Sequence, residues 1–252
     1  MGICVGIRPD RAAELVADSF ERFNLLRFSV YNQIAQKLRG MAFVLWKDDC
    51  ALHIMGVFPC GEEETFADKY LIPVIESVEA QMNIELSVGV GMLSTDAMQL
   101  KNAYKTAKFA FELYYFEEKP FIDVRDIHRE YTVSFDDYAN SVETAFRALI
   151  THDPDYLEKI NQIMNNIEAI HYGNRNAAQA RVLYFTGDIA TKLFQYNLLN
   201  GDFYAMQDQL QHQVENQKTF RALRNCIEEH YKAIWDILEK NGKAKDKIMI
   251  EE

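Results

Sequence analysis

The sequence predicts an α+β chain: a mostly antiparallel sheet domain over residues 1–128, an all-α helical bundle over 129–241 and a polar tail at 242–252. Three observations carry this. Up to about residue 127, short runs of period two alternate with long runs of helical period. Two of the short runs, "MAFVLW" and "ALHIMGVF", are close enough to pair as a hairpin around the polar "KDDC". After about residue 130 no convincing strand pattern remains.

In "ICVGI", Ile3, Val5 and Ile7 alternate as a strand that ends at Pro9-Asp10. Residues 11–38 place Leu15, Phe20, Phe23, Leu26, Val30, Ile34 and Leu38 at helical spacing, with a break expected near Asn24 and Gly40 as a stop. After the hairpin, "GEEETFADKYLIPVIESVEAQMN" is the next helix. Its acidic start suits the positive end of a helix dipole, and Pro73 either kinks it or marks its true start. Ile84, Leu86, Val88 and Val90 then share one face of a strand, and Glu85, Ser87, Gly89 and Gly91 the other. Asp96 is the candidate N-cap of a helix whose apolar stripe includes Leu100, Ala103, Ala107, Ala110 and Phe111. "PFIDV" is a last short strand. This order of elements is the split βαβ, or ferredoxin-like, arrangement, with the helices expected on one face of a four-stranded core sheet.

The second half reads as helices. Residues 134–151 carry an apolar stripe from Phe135 to Leu149. "HDPDYLEKINQIMNNIEAI" is predicted to start with Asp153 as cap and Pro154 in the first helical position. "HYGN" breaks the chain before helices at 176–199, 203–217 and 219–240. "NGKAKDKIMIEE" is charged and aperiodic until its end, and reads as a linker.

The chain has 252 residues and a net charge of −11, so it is expected to repel phosphate backbones and to bind no nucleic acid directly. No apolar run reaches the roughly 18 residues that a membrane span needs. The start "MGICVGIRPD" lacks the features of a signal peptide, and the expected location is cytoplasmic. Cys4, Cys50, Cys60 and Cys226 are scattered and form no C-x-x-C pair, which suits free thiols in a reducing compartment.

Gly89-Val90-Gly91 lacks the third glycine of a dinucleotide fingerprint and lies within a strand rather than after it. Close helix–sheet packing is preferred to a phosphate cradle. Asp10, Asp48 and Asp49 offer oxygen ligands of the kind magnesium takes, but hairpin tips are commonly acidic and solvated, and that reading is preferred. No catalytic residue, cofactor or metal is expected.

Within this frame, "ELSVGVG" followed by "LKNAYKTAKFAFELYYFEEKPFIDV" resembles the end of a GGDEF-type nucleotidyl-cyclase domain. The likeness is to the degenerate form in bacterial transcription regulators, with a strand like "vSiGiG" and a Tyr-x-x-Ala helix core, here Tyr104 to Ala107. It covers roughly residues 1–127, and residues 131–240 are similar to the helical connector of response regulators of the AraC type. "KAKDKIMIEE" resembles the segment just before their helix-turn-helix pair. The resemblance implies a two-component regulator with a receiver domain before this region and a DNA-binding domain after it. It also implies Gly-Gly-Asp/Glu-Glu-Phe at the hairpin tip of an active cyclase. Here that place reads Trp46-Lys47-Asp48-Asp49-Cys50, so the expectation is a non-catalytic relay or dimerisation region. The alternatives are a degenerate domain that still binds a nucleotide, and a small-molecule sensor.

A homodimer is expected. Phe220, Leu223, Ile227, His230, Ile234 and Ile237 are spaced as an a/d seam. Tyr231, Trp235 and Leu238 widen that stripe, as in a helix packed within its own domain, so an intrachain bundle is weighed slightly above a dimer seam. His230 is read as a satisfied or partly exposed histidine rather than a pH switch.

Overall fold

Strand β1 (Gly2–Ile7) runs through the middle of a five-stranded sheet. This computed structural model describes residues 1–46, 51–56, 66–127, 133–198 and 203–251. The fold is α+β, in two units, Met1–Arg129 and Glu130–Glu252. In the first, the strand order is β2 (Ala42–Trp46), β3 (Ala51–Gly56), β1, β4 (Leu86–Val90) and β5 (Phe121–Asp123). β1 pairs antiparallel with β3 and β4, and β2 with β3. β5 joins β4 in parallel as a fifth strand.

The first helical run divides earlier than its spacing suggests. α1 (Pro9–Asp18) ends at Ser19, and α2 (Phe20–Lys37) begins there, not near Asn24. The cause is local: Ser19 Oγ accepts from the Arg22 amide at 3.2 Å, an N-cap that an unbroken helix would lose. Pro73 falls where a π-helical turn (Ala67–Leu71) passes into regular helix, α3 (Ile72–Met82). Helical backbone already runs from Phe66, so Pro73 lies inside the helical segment, and the π-helical turn just before it is where the regular hydrogen-bond ladder changes. Asn83, with φ 50°, closes α3 in the left-handed region. Asp96 Oδ1 accepts from the Met98 amide at 2.9 Å and caps a 3-10 turn leading into α4 (Leu100–Glu112). The short α5 (Tyr114–Glu117) then delivers the chain to β5.

The helices cover both faces of the sheet, not one. Ile3, Val5, Ile7, Leu86, Val88 and Val90 form one core with Phe23, Val30 and Ile34 of α2 and with Ile75 and Val78 of α3. Cys4, on the opposite face, packs with Ala107 and Phe111 of α4. The second layer is possible because that face is almost bare. A Cβ on Gly2 would overlap the Ala103 carbonyl, one on Gly89 would lie 2.5 Å from the Ala107 oxygen, and one on Gly91 2.5 Å from the Ala107 nitrogen. Buried alanines at 103, 107 and 110 complete the close approach from the helix side.

The second unit contains α6 (Phe135–Ile150), α7 (Tyr156–His171), α8 (Arg175–Gln195), α9 (Phe203–Asn216) and α10 (Phe220–Glu251). α6 starts from a capping box: Ser134 Oγ accepts from the Asp137 amide at 3.1 Å, and Asp137 Oδ2 accepts from the Ser134 amide at 3.2 Å. The Ser134 hydroxyl, which donates to Asp137 Oδ2 at 2.7 Å, and then the Ser134 amide hold the Asp137 carboxyl below its usual range. α7 starts at Tyr156, later than expected, because the Asp153 carboxylate accepts from the Asp155 amide and forms a turn that contains Pro154. Asn174 caps α8, accepting from the Ala177 amide at 3.0 Å. The tail read as a linker over 242–252 is helical to Glu251. Gly242 alone costs about 1 kcal/mol in a helix, and Lys243, Ala244 and Lys245 after it are good helix formers.

Gly187, inside α8, differs from the sheet glycines, since nothing lies within 4 Å of a Cβ built there. Gly187→Ala is expected to stabilise the protein by about 0.5–1 kcal/mol, because it removes backbone freedom from the unfolded chain only. A lower urea midpoint for this variant would contradict that open environment.

Candidate functional site

Two regions are candidates: the glycine strand and the face of α10. The glycine strand has no amides to offer a phosphate. The Gly91 N–H donates to the Gly2 carbonyl at 2.9 Å, and the Met92 N–H donates to Thr106 Oγ1 at 2.9 Å. Cys4 and Ile122 flank Gly89 in the ladders on either side. A cradle needs several unengaged N–H groups pointing at one space, whereas here α4 occupies that space. The Gly-x-Gly pair is a seat for a helix.

The candidate metal residues are not gathered. Asp10 lies in the first turn of α1, and Asp48 and Asp49 lie outside the described residues, as do the other residues of the hairpin tip. Among the described residues no group of three or more His, Cys, Asp or Glu stands ready to hold a metal ion.

The proposed dimer seam lies inside the chain's own bundle. Phe220, Leu223, Ile227 and Ile234 are at most 2 % exposed, His230 is buried and Ile237 is half-buried. The flanking set decides this. Tyr231 is fully buried and stacks on Phe185 of α8 with ring centroids 6.1 Å apart, and Trp235 stacks on Tyr156 of α7 at 4.2 Å. The apolar arc is too wide for a two-helix seam and is filled by α7 and α8.

Beside this stripe lies an open groove of about 510 Å³ between α9 and α10. Cys226 Sγ is 3.7 Å from Gln213 Oε1, and His230 Nε2 is 3.5 Å from Gln207 Nε2. The pairing of 213 with 226 and of 207 with 230 shows that the two helices run antiparallel. Burial pushes the His230 imidazole down to about 4 and raises the Cys226 thiol. A ring held that low is neutral at physiological pH. Glu229 also lines the groove. In the sequence alone Cys226 is one scattered thiol and His230 a seam residue. The signal that joins them is C-x-x-x-H spacing on a helix, which puts both on one face.

No protein-family model matches the chain, and comparison with curated proteins and with solved structures returns no match.

Proposed function

We propose that the chain is a non-catalytic signal-relay and dimerisation region of a bacterial transcriptional response regulator, with a degenerate GGDEF-type domain as its first unit. The observation that supports this most is the strand order β2-β3-β1-β4 with β5 added in parallel. Its first four strands follow the ferredoxin-like order. The hairpin that would present a cyclase signature is kept, while its tip reads Lys47-Asp48-Asp49-Cys50. Without a Gly-Gly pair the backbone cannot approach a nucleotide closely, and a fold outlives the site once grafted on it. In this reading a receiver domain and a helix-turn-helix pair of the same regulator flank the two units and supply phosphorylation and DNA contact. Self-association uses a face other than the buried stripe of α10. A sensor role has one observation in its favour, the groove between α9 and α10.

The test is incubation with GTP or ATP plus magnesium or manganese, read by mass spectrometry. The expected result is no cyclic nucleotide or dinucleotide above a heat-killed control. Turnover would overturn the reading. Saturable nucleotide binding without turnover, by equilibrium dialysis, would favour the nucleotide-binding alternative.

A further inference from the structure

We propose that the outward face of α8 is a self-association surface, on which a second copy of this chain packs antiparallel about a two-fold axis level with Phe185 and Thr186. The proposal rests on the dimerisation part of the relay reading and names its surface. Ala177, Ala180, Tyr184, Gly187, Thr191 and Phe194 are spaced 3, 4, 3, 4 and 3, so they form one stripe along the helix. The bundle does not cover this stripe. Tyr184 is 67 % exposed and Phe194 44 %, Ala180 and Thr191 are exposed, and a Cβ on Gly187 would meet nothing within 4 Å. Val182, Phe185 and Ile189, which α8 buries in its own unit, lie on the other side of the helix.

The shape of the stripe fits a copy of itself. With two α8 helices antiparallel about that axis, Tyr184 meets the partner's Gly187, Phe194 meets the partner's Ala177, and Ala180 meets the partner's Thr191. Each large ring faces a small residue, and symmetry makes every such contact twice. In a parallel pair each residue would meet its own copy. Ring would then crowd ring at 184 and 194, and the gap at Gly187 would stay unfilled.

Charge points to the same occupant. Two copies of a chain with net charge −11 repel each other, so self-contact is favoured where charge is absent, and none of the six stripe residues is charged. Arg181 and Asp188 lie on one flank of the stripe, and the axis brings Arg181 beside the partner's Asp188 on that flank. Asp188 already holds Lys192 at 3.1 Å, and a carboxylate has room for a second donor. Arg181 also prepares the Tyr184 ring: its guanidinium lies 5.2 Å from the centre of the Tyr138 ring and 5.7 Å from that of Tyr184. An exposed ring steadied in this way loses less freedom on docking. One helix face per copy buries less than about 1,200 Å² in total, so the dimer is weak and concentration-dependent.

The experiment is sedimentation equilibrium of the full chain over a range of concentrations. The wild type is expected to pass from monomer to dimer as concentration rises. Tyr184→Ala and Gly187→Glu should each weaken the dimer by about tenfold or more. Their circular dichroism should match the wild type, because both positions are open in the monomer. Orientation is read by mild oxidation. Gly187→Cys should give a disulfide-linked dimer, since the axis passes beside it and brings its two copies within disulfide reach. Phe194→Cys should not exceed the background set by the four cysteines of the wild type, because its copies stand about 25 Å apart along the helices. A dimer as tight in Tyr184→Ala and Gly187→Glu as in the wild type would overturn the proposal and leave dimerisation itself standing. So would crosslinking through Phe194→Cys in place of Gly187→Cys. A wild type that stays monomeric throughout would overturn this surface together with the dimerisation part of the relay reading, whose non-catalytic part answers to the nucleotide test alone.

Discussion

Gly89→Val is expected to abolish cooperative folding of the first unit, and Gly89→Ala to destabilise it by about 3 kcal/mol or more. An added Cβ would meet the Ala107 oxygen at 2.5 Å and overlap the Phe111 backbone nitrogen. Overpacking a core typically costs about 1–3 kcal/mol because side chains yield to relieve it. Here the obstacles are main-chain atoms of α4, and relief requires lifting the whole helix off the sheet. Typical domains have only about 5–15 kcal/mol of stability in all. Urea denaturation followed by circular dichroism measures the effect. A loss below about 1 kcal/mol would show that α4 can lift cheaply and that the seat is loose. Gly187→Ala, the same chemical change in an open helix position, provides the comparison with opposite sign.

The double variant Ile227→Asp with Ile234→Asp is expected to unfold the helical unit. Both side chains are at most 1 % exposed. Truncating a buried isoleucine costs about 2–5 kcal/mol, and a carboxylate placed there has no partner charge and adds a desolvation penalty. Two such changes one heptad apart exceed the stability of an ordinary domain. Loss of the helical signal, without a folded monomer in sedimentation, is the expected outcome. A variant that keeps its helicity and merely loses a dimer would show that the stripe faces a second chain, contrary to the packing of Tyr231 and Trp235.

Where the sequence was legible, a single local cause dominated. Alternation in "ICVGI" and "ELSVGVG" named two strands, and their glycines named the close helix. The number of covered faces was not legible in the same way. Gly2, Cys4, Gly89 and Gly91 carry almost no apolar bulk, so that side of the sheet looks unburied to any hydrophobic count, and its partner is a backbone rather than a side-chain layer. Ser19 and Ser134 show a second limit. Each serine decides a helix boundary through one hydrogen bond, but many serines in a sequence cap nothing. The stripe on α10 illustrates a third. Its spacing fits a seam and an interior helix equally, and only the partners of Tyr231 and Trp235 distinguish them. The groove was hidden because α10 supplies only one of its walls, and nothing in the spacing along α10 shows that α9 supplies the other.

The helix seat also has a consequence for the order of events in folding. One part of it, Gly2, is on the first strand, and the rest, Gly89 on the fourth strand and Gly91 directly after it, lies far along the chain. The seat does not exist until these distant segments have met, and contacts of that kind carry the largest loop-closure cost and form late. α4 therefore docks after the sheet has assembled. Changes at Gly89 will be felt mostly as faster unfolding, with the refolding limb little altered. The bare strand is thus a latch, closed last and opened first, and it sets the lifetime of the unit rather than the speed at which it is made.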